Sequence, residues 1–402
     1  MEIKSHTDDG LKDCNLSPEE KGNGIMLKTI YMFELKKLFF SKVNLATLIG
    51  VVLMLLFLAI SSTVEEQSAL RETARELDGR IIDEQLFNEM KPALKYENGV
   101  ALLQVKEGYE KYVPILNMIM PVSGDEIDFA RFQGMGFYEL RRQRISQRLE
   151  KQELTEAEKA YWDSLEDKVK KPFVYHYHNG PANMLKSFQA LGFFTLLLSA
   201  VGLSGVYAKE TADNMNQLLL CSRYGKKKLY LIKYAAGMTW ILTAALLVVL
   251  ALLIPFGVTY GTEGTGEMLQ LVKPLSMLPC TIGQMLAICL GNYLLAAVLF
   301  ASITMLLSVI TQNSPAVTCG LLGYLLIDLF ADVPDRFRLL QAVWSLRPNA
   351  ILMNTGFVNY RLIRLAGKFF MNYQAAPVIY IAIAVIAFLI GLSKYKRLQV
   401  GD

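Results

Sequence analysis

The sequence predicts an all-α polytopic membrane protein with six transmembrane helices and an α-rich extracytoplasmic domain between helices 1 and 2. Apolar residues make up 53% of the 402 residues and charged residues only 19%, which is too hydrophobic for a soluble protein of this length. The apolar residues also fall into long windows without charge. A charged segment, residues 65–186, separates the first window from the second.

Each window is long enough to cross a membrane, because about 20 helical residues span a hydrocarbon core of about 30 Å. The windows without charge are Val43–Val64, Ser187–Ala208, Tyr234–Thr262, Pro274–Ile327 and Phe369–Ser393. Pro274–Ile327 is about twice the necessary length, and a polar, proline-containing turn at Thr311–Pro315 divides it. The six predicted transmembrane helices are residues 43–64, 187–208, 234–256, 282–310, 315–331 and 376–393.

The orientation follows from lysine and arginine residues close to the helix ends, which favour the cytoplasmic side. They are concentrated in residues 25–42, 209–233 and 394–402. An even number of helices places all three segments on one side, so both termini are predicted in the cytoplasm. The predicted location is the plasma membrane. Because residues 65–186 contain no cysteine and secreted eukaryotic domains are often disulfide-bonded, a bacterial host is favoured.

The segments outside the membrane have different predicted structures. Residues 1–24 are polar and predict a disordered cytoplasmic tail, and residues 25–42 predict an amphipathic helix on the inner leaflet. Residues 332–375 predict an outer loop with short helices, and residues 394–402 a cytoplasmic tail.

Within the predicted extracytoplasmic domain, residues 65–186, helical patterns dominate. Glu65–Met90 and Gly134–Glu153 are rich in helix-forming residues. Thr155 and Glu158 match a capping box that begins a third helix. Pro172–His178 alternates aromatic and polar residues and is predicted to be extended.

The sequence contains no motif for catalysis or nucleotide binding. A P-loop, Gly-x-Ser-x-Gly, His-Glu-x-x-His and Cys-x-x-Cys are all missing. No catalytic residue and no cofactor are therefore predicted, and a partner subunit would bind any ATP used. His176 and His178 lack a third metal ligand and are interpreted as polar edge residues. The first charge within the predicted helices is Asp328, which argues against an ion-driven pump.

The basic segment 209–233, between predicted helices two and three, is the main candidate for function. Glu210–Leu220 can form three helical turns with Met215, Leu218 and Leu219 on one face. Ser222–Gly225 then favours a helix end, before three lysines. The segment is either a coupling helix that fits a cleft in a partner protein or an amphipathic helix anchored at the membrane surface.

Two patterns add a family resemblance. Glu34–Phe39 reads Glu-Leu-Lys-Lys-Leu-Phe, and the basic segment reads Glu…Leu-Leu…Ser-Arg-x-Gly-Lys. Together with six helices, they make the chain resemble the permease subunit of ABC-2 type transporters. The resemblance implies a loop that docks on the ATPase subunit and a helix on the inner leaflet. The implied docking residues are Glu210, Leu218, Leu219, Ser222, Arg223, Gly225 and Lys226, and those of the inner-leaflet helix are Glu34, Lys36 and Lys37.

The chain departs from the family pattern at two places. Asn214–Asn216 stands where a glycine is often found, and Cys221–Ser222 where a proline is often found. The large domain after helix 1 is similar to that of subgroups in Gram-positive bacteria that export peptides or give resistance to them.

The expected function is that of a permease subunit moving an amphiphilic substrate outward, whether peptide, lipid or drug. Its expected partners are an ABC ATPase subunit, a second permease copy or a related permease chain, and membrane lipids, with no nucleic acid. The main alternative is a membrane sensor whose ectodomain binds a peptide. The four-helix ABC family with a force-transmitting ectodomain has fewer crossings, and a membrane enzyme would need polar groups within the helices.

Overall fold

The protein is described by a computed structural model that covers residues 18–65, 68–97, 100–123, 136–212, 225–331, 333–334, 337–352, 360–365 and 367–397. Fifteen α-helices occur in these residues. They are α1 Pro18–Phe39, α2 Lys42–Glu65, α3 Ser68–Arg75, α4 Glu84–Met90, α5 Val113–Ser123, α6 Phe137–Lys151, α7 Glu156–Glu166, α8 Asn179–Leu203, α9 Gly205–Ala212, α10 Gly225–Tyr260, α11 Ile282–Thr311, α12 Ser314–Phe330, α13 Arg338–Trp344, α14 Pro348–Leu352 and α15 Asn372–Arg397. The strands are β1 Arg80–Ile81, β2 Leu94–Glu97, β3 Val100–Val105, β4 Val174–Tyr175, β5 Ile363–Leu365 and β6 Lys368–Phe370.

Five of the apolar stretches in the described residues are long enough to cross a membrane, which supports a multi-pass membrane protein. They are Lys42–Ser61, Ala190–Glu210, Lys226–Tyr260, Ile282–Thr311 and Asn372–Arg397. The helix predicted at 315–331 is α12, which has 17 residues. At 1.5 Å per residue it is about 26 Å long, a little shorter than the hydrocarbon core. Six crossings therefore stay a prediction.

Two of the long helices extend beyond the predicted bounds. α10 begins at Gly225 instead of residue 234, so Lys226, Lys227 and Lys228 are helical. Lysine is a good helix former, and a charge marks where a helix leaves an apolar environment and not where the helix ends. Gly225, predicted to follow the end of a helix, is the first residue of α10.

α8 and α9 together contain the second predicted crossing, and the helical path is interrupted between them. α8 begins at Asn179, eight residues before the predicted start, and ends at Leu203. Ser204 separates it from α9. α8 also approaches α10 closely, because a Cβ atom on Gly202 would lie 2.2 Å from the ring of Trp240. A glycine is therefore needed at this crossing.

The N-terminal helix starts earlier than predicted. Residues 18–24, predicted to be disordered, belong to α1, and Pro18 fits the first helical turn because its fixed φ suits a helix. Residues 1–17 lie outside the described residues. α1 lies along α10, where the hydroxyls of Tyr31 and Thr239 are 2.8 Å apart. Phe33 is exposed on its other side, and Phe40, which follows α1, is exposed as well.

The segment between α2 and α8 is helical and contains two short pairs of strands. β1 pairs with β4 and β2 with β3, both antiparallel. The prediction of one helix over Glu65–Met90 is wrong, because Gly79 adopts a positive φ of 79° and β1 follows it. The capping box of Thr155 and Glu158 and the extended conformation at Val174–Tyr175 are confirmed.

This segment does not stand alone. Trp162 of α7 donates its Nε1–H to the carbonyl of Tyr360, at 2.6 Å. The Tyr360 hydroxyl in turn donates to the carbonyl of Leu275, at 2.7 Å. Three stretches of chain therefore form one body, which we call the insert layer: the described parts of residues 68–178, 261–281 and 337–371.

The long helices alternate in direction between the insert layer and an opposite end. The opposite end contains residues 36–42, 205–212, 225–233 and 394–397, and we call it the basic end because lysines are concentrated there. An apolar core runs from Leu55 of α2 through Trp240 and Tyr293 into the insert layer at Phe173. A second apolar cluster joins α8, α11, α12 and α15.

Candidate functional site

The candidate site is a buried charge cluster at the basic end, contributed by three helices. The Lys233 ammonium of α10 lies 2.9 Å from the Glu34 carboxylate of α1 and 2.5 Å from the Glu210 carboxylate of α9. The Lys233 side chain is completely buried, and those of Glu34 and Glu210 are 11% and 7% exposed. Lys37 adds a second cation on the rim, 3.3 Å from Glu210 and 39% exposed. We call these four residues the charge cluster.

Burial makes these contacts obligatory. An isolated charge in an apolar interior costs several kcal/mol, so a buried ammonium is stable only with its protons shared among acceptors. Two carboxylates around one ammonium would leave an excess negative charge, and Lys37 compensates it. The cluster therefore stabilises one relative placement of α1, α9 and α10.

Aromatic residues surround the cluster and connect it to the last helix. The rings of Tyr207 and Tyr230 stack at 5.3 Å, and Tyr395 of α15 contacts both, at 5.4 and 5.7 Å. The Tyr207 hydroxyl donates to the carbonyl of Tyr230 and the Tyr230 hydroxyl to the carbonyl of Phe388. These contacts can therefore transmit a movement of α9 to both α10 and α15.

The break at Ser204 is held by a side chain from another helix. The Ser308 hydroxyl of α11 donates to the carbonyl of Ser204 at 2.7 Å, and it accepts from the amides of Tyr207 and Ala208 at 3.2 and 3.1 Å. These bonds satisfy backbone groups that the interrupted helix leaves without a helical partner. The Ser204 hydroxyl lies 2.8 Å from that of Ser314, at the start of α12.

Part of the predicted docking set lies in the described residues. Glu210 is in α9 and belongs to the charge cluster, while Gly225 and Lys226 begin α10. Leu218, Leu219, Ser222 and Arg223 lie outside the described residues.

The three residues predicted for the inner-leaflet helix all lie in α1. Glu34 is buried in the charge cluster, and Lys36 and Lys37 are exposed. The structure therefore joins Glu34 and Lys37 to Glu210, although the family pattern places them in two separate segments.

The sequence reasoning missed Lys233. A lysine just before a charge-free window resembles an anchor that reaches the membrane surface. The available signal was its position: the helical spacing puts Lys226 and Lys233 on one face, two turns apart, so Lys233 lies deeper than the lysine run. Only the fold shows that two carboxylates meet it there.

A second buried ionic group lies where α12 meets the insert layer. The Asp328 carboxylate accepts hydrogen bonds from Arg347 and from the amide of Asn349. The Arg347 guanidinium also stacks on Trp344, 3.7 Å from the ring centre. Asp328, the first charge in the predicted helices, is therefore neutralised in place and holds the end of α12 to α13 and α14.

The two histidines of the insert layer contact protein groups. His178 donates its Nδ1–H to the carbonyl of His176, and His176 lies 3.3 Å from Asp78. Burial lowers the pKa of His178, and the nearby Lys186 lowers it further against the effect of the His176 carbonyl. Across the described ranges, no group of three His, Cys, Asp or Glu side chains could hold a metal.

Comparisons with protein-family models, with curated proteins and with solved structures find no match to this chain.

Proposed function

We propose that this chain is the permease subunit of an ABC-2 type exporter, which moves an amphiphilic substrate out of a bacterial cell with a separate ATPase subunit. The observation that supports this proposal most directly is the charge cluster. Residues 213–224 connect α9 to α10, and Lys233 joins both of these helices to α1. A partner that pushes on residues 213–224 therefore acts on the helices that the cluster holds together.

The mechanism is conformational and needs no catalytic residue in this chain. The ATPase subunit binds and hydrolyses ATP, and closure of its two copies displaces the ends of α9 and α10. Because buried charges tolerate little separation, Glu34 and the rest of α1 follow this displacement. The Tyr207, Tyr230 and Tyr395 contacts extend it to α15.

Six crossings fit the contacts of α12. Its start lies at the basic end, where Ser314 contacts Ser204. Its other end lies at the insert layer, where Asp328 contacts Arg347. These contacts support a sixth crossing, because a helix that reaches both ends of the bundle would cross the same thickness as its neighbours. With an even number of crossings, we propose that both termini lie in the cytoplasm and the insert layer outside, which agrees with the distribution of lysines.

The test is purification of the tagged full-length chain from native membranes, with ATP hydrolysis as the readout. We expect a P-loop ATPase to co-purify and to hydrolyse ATP. Reversal of the charge in Arg223→Glu should reduce both by about tenfold or more, as expected when an interface charge is reversed. Arg397→Glu, the same reversal at the end of α15, is the matched control and should retain both.

Two results would contradict the proposal: a wild-type chain that purifies without an ATPase, or an Arg223→Glu chain that keeps normal ATPase association and activity. A membrane sensor is the second candidate function, favoured by the size of the insert layer. Co-purification of a protein kinase in place of an ATPase would support it.

A further inference from the structure

A cavity of about 700 Å³ lies between the insert layer and the ends of the long helices. Its apolar wall includes Leu58 of α2 together with Leu252 and Phe256 of α10. Its polar wall includes Asn117 of α5 and Lys186 of α8. The volume falls in the range of pockets that hold drug-sized ligands. The cavity is remote from the charge cluster, which lies at the opposite end of the bundle.

The two walls lie at different depths along the long helices. Leu58 belongs to the apolar stretch Lys42–Ser61, and Ala190, another lining residue, begins the stretch Ala190–Glu210. Lys186 precedes Ala190 by four residues, which corresponds to about 6 Å along the helix. The cavity is therefore apolar along the helices and becomes polar where the apolar stretches end. This is the profile of an amphiphile at a membrane surface.

The polar wall is positively charged. Lys186 is exposed, and among the described residues it has no carboxylate within ion-pair distance. No Asp or Glu occurs among the described residues that line the cavity.

The beginning of α8 adds to this field. Asn179, Ala182 and Asn183, all from its first turns, line the cavity, and the first turn contains no acidic residue. The N-terminus of a long helix carries a partial positive charge. The Lys186 side chain and the helix end therefore favour an anion at the same wall.

We infer that this cavity binds an amphiphile with an anionic head group, its head at Lys186 and its apolar chain along Leu58, Leu252 and Phe256. The inference goes beyond the proposed transport function and does not depend on it, because binding is measured without ATP and without a partner. A membrane lipid and an exported amphiphile share this chemistry.

The test uses native mass spectrometry of the purified full-length chain in a neutral detergent. The probes are lysophosphatidic acid and lysophosphatidylcholine with the same acyl chain, so that they differ only in the head group, which is anionic in the first and zwitterionic in the second. We expect the anionic probe to bind about tenfold more tightly, as for one charged hydrogen-bonded contact. Glycerol phosphate, which has the head group without the acyl chain, should not bind at the concentrations at which lysophosphatidic acid binds.

Three variants locate the site. Lys186→Gln should weaken the anionic probe by about tenfold and leave the zwitterionic one unchanged, because only the charged contact is lost. Lys394→Gln removes an exposed lysine at the basic end and is the matched control. Asn117→Trp places a large side chain at an exposed lining position and should weaken both probes.

Equal affinity for the two probes, or full anionic affinity in Lys186→Gln, would overturn the inference. Lipid extracted from the native membranes with the chain distinguishes the sources. An anionic lipid lost in Lys186→Gln identifies a membrane lipid as the occupant. Binding of the probe to a chain that purifies without such a lipid identifies a site open to a free amphiphile.

Discussion

The buried cations at the two ends of the molecule are held in different ways. In the described residues, Lys233 hydrogen-bonds to two carboxylates, and each carboxylate comes from a different helix. Arg141 in the insert layer is 1% exposed, and it donates to the backbone carbonyls of Pro274 and Ser276 as well as to Glu166. The first arrangement joins side chains, whereas the second joins a side chain to the backbone of a distant loop.

This difference indicates how firmly the chain is held at each end of the molecule. Carboxylate side chains can rotate with their helices and can exchange partners around a compact ammonium group. Backbone carbonyls are fixed by the chain, and a planar guanidinium accepts few orientations of its partners. The insert layer is therefore fixed through its backbone, while the charge cluster holds three helices together through side chains that can adjust when the helices move.

The largest effect is expected from Lys233→Met, which removes the cation between two buried carboxylates. Removal of one partner from a buried ion pair costs about 3–5 kcal/mol in the free energy of unfolding. Denaturant unfolding of the purified chain in detergent measures this cost. Lys37→Met removes the half-exposed cation of the same cluster and should cost about 1 kcal/mol or less.

A triple variant tests whether the cost arises from unpaired charge. Lys233→Met combined with Glu34→Gln and Glu210→Gln contains no buried charge at this position. It should recover most of the lost stability, since neutral replacement of a whole buried ionic group is often nearly neutral. If the triple variant is as unstable as Lys233→Met, the loss comes from packing instead.

The second effect concerns the insert layer. Arg141→Ala should lower the free energy of unfolding by about 3 kcal/mol, because the Pro274 carbonyl loses its donor and Glu166 and the Ser276 carbonyl each lose one of two. The donors that stay are Lys171 at Glu166 and Gln270 at Ser276. Amide hydrogen exchange should increase at residues 270–278, which Arg141 holds. Arg142→Ala is the control, since Arg142 is exposed on the same helix. Its loss should change the free energy of unfolding and the amide exchange very little. Uniform protection in the Arg141→Ala chain would show that the backbone contacts are not needed.

Arg141→Lys sharpens the same test. A lysine has the charge but lacks the forked guanidinium group, which reaches Pro274, Ser276 and Glu166 together. We expect it to recover less than half of the loss caused by Arg141→Ala. At the charge cluster, by contrast, Lys37→Arg should be tolerated, because its partner is a side chain that can adjust.

The smallest effect is a pH dependence confined to the insert layer. Burial opposes ionisation of Glu158, but hydrogen bonds from Thr155, Arg338 and the Leu362 amide outweigh it and lower its pKa. A carboxyl with a lowered folded-state pKa stabilises the fold above its unfolded pKa, about 4.3, and this stability is lost as the pH falls through the folded value.

The insert layer should therefore loosen in acid below about pH 4. Fluorescence of Trp162, which contacts Tyr360 with ring centres 5.3 Å apart, reports the change. Glu158→Gln should reduce the pH dependence below pH 4. Glu156→Gln should not, because the Glu156 side chain is 90% exposed. Equal acid profiles in the two variants would remove Glu158 as the cause.

The sequence predicted the long apolar helices well, because the absence of charge over about 20 residues is a strong local signal. The ends of the helices were predicted less accurately. α10 includes Lys226–Lys228, since lysines do not end a helix. The two-residue strands β1 and β4 pair across almost a hundred positions, and only β4 had a local pattern. The association of three stretches of chain in the insert layer depends on such distant contacts, and no local sequence pattern predicts it.

The candidate site was predicted in part. Glu34, Lys37 and Glu210 were selected through a family resemblance, each within its own segment. Their meeting point, Lys233, lies 199 positions from Glu34 and 23 from Glu210. Periodicity within one helix carries no information about a partner at such a distance, and burial of the lysine appears only once the helices are assembled.

Ser204 gives the charge cluster a mechanical property. α9 begins at this interruption, where the Ser308 hydroxyl replaces bonds that a continuous helix would make along its own axis. Glu210 lies roughly 9 Å from Ser204 along the helix axis at 1.5 Å per residue. A rotation of α9 by about 10° about Ser204 would displace Glu210 by roughly 1.5 Å, enough to lengthen its contact with Lys233 beyond hydrogen-bond distance. The stretch from Ser204 to Glu210 is therefore a lever arm, and a small angle at one serine is enough to break an ion pair.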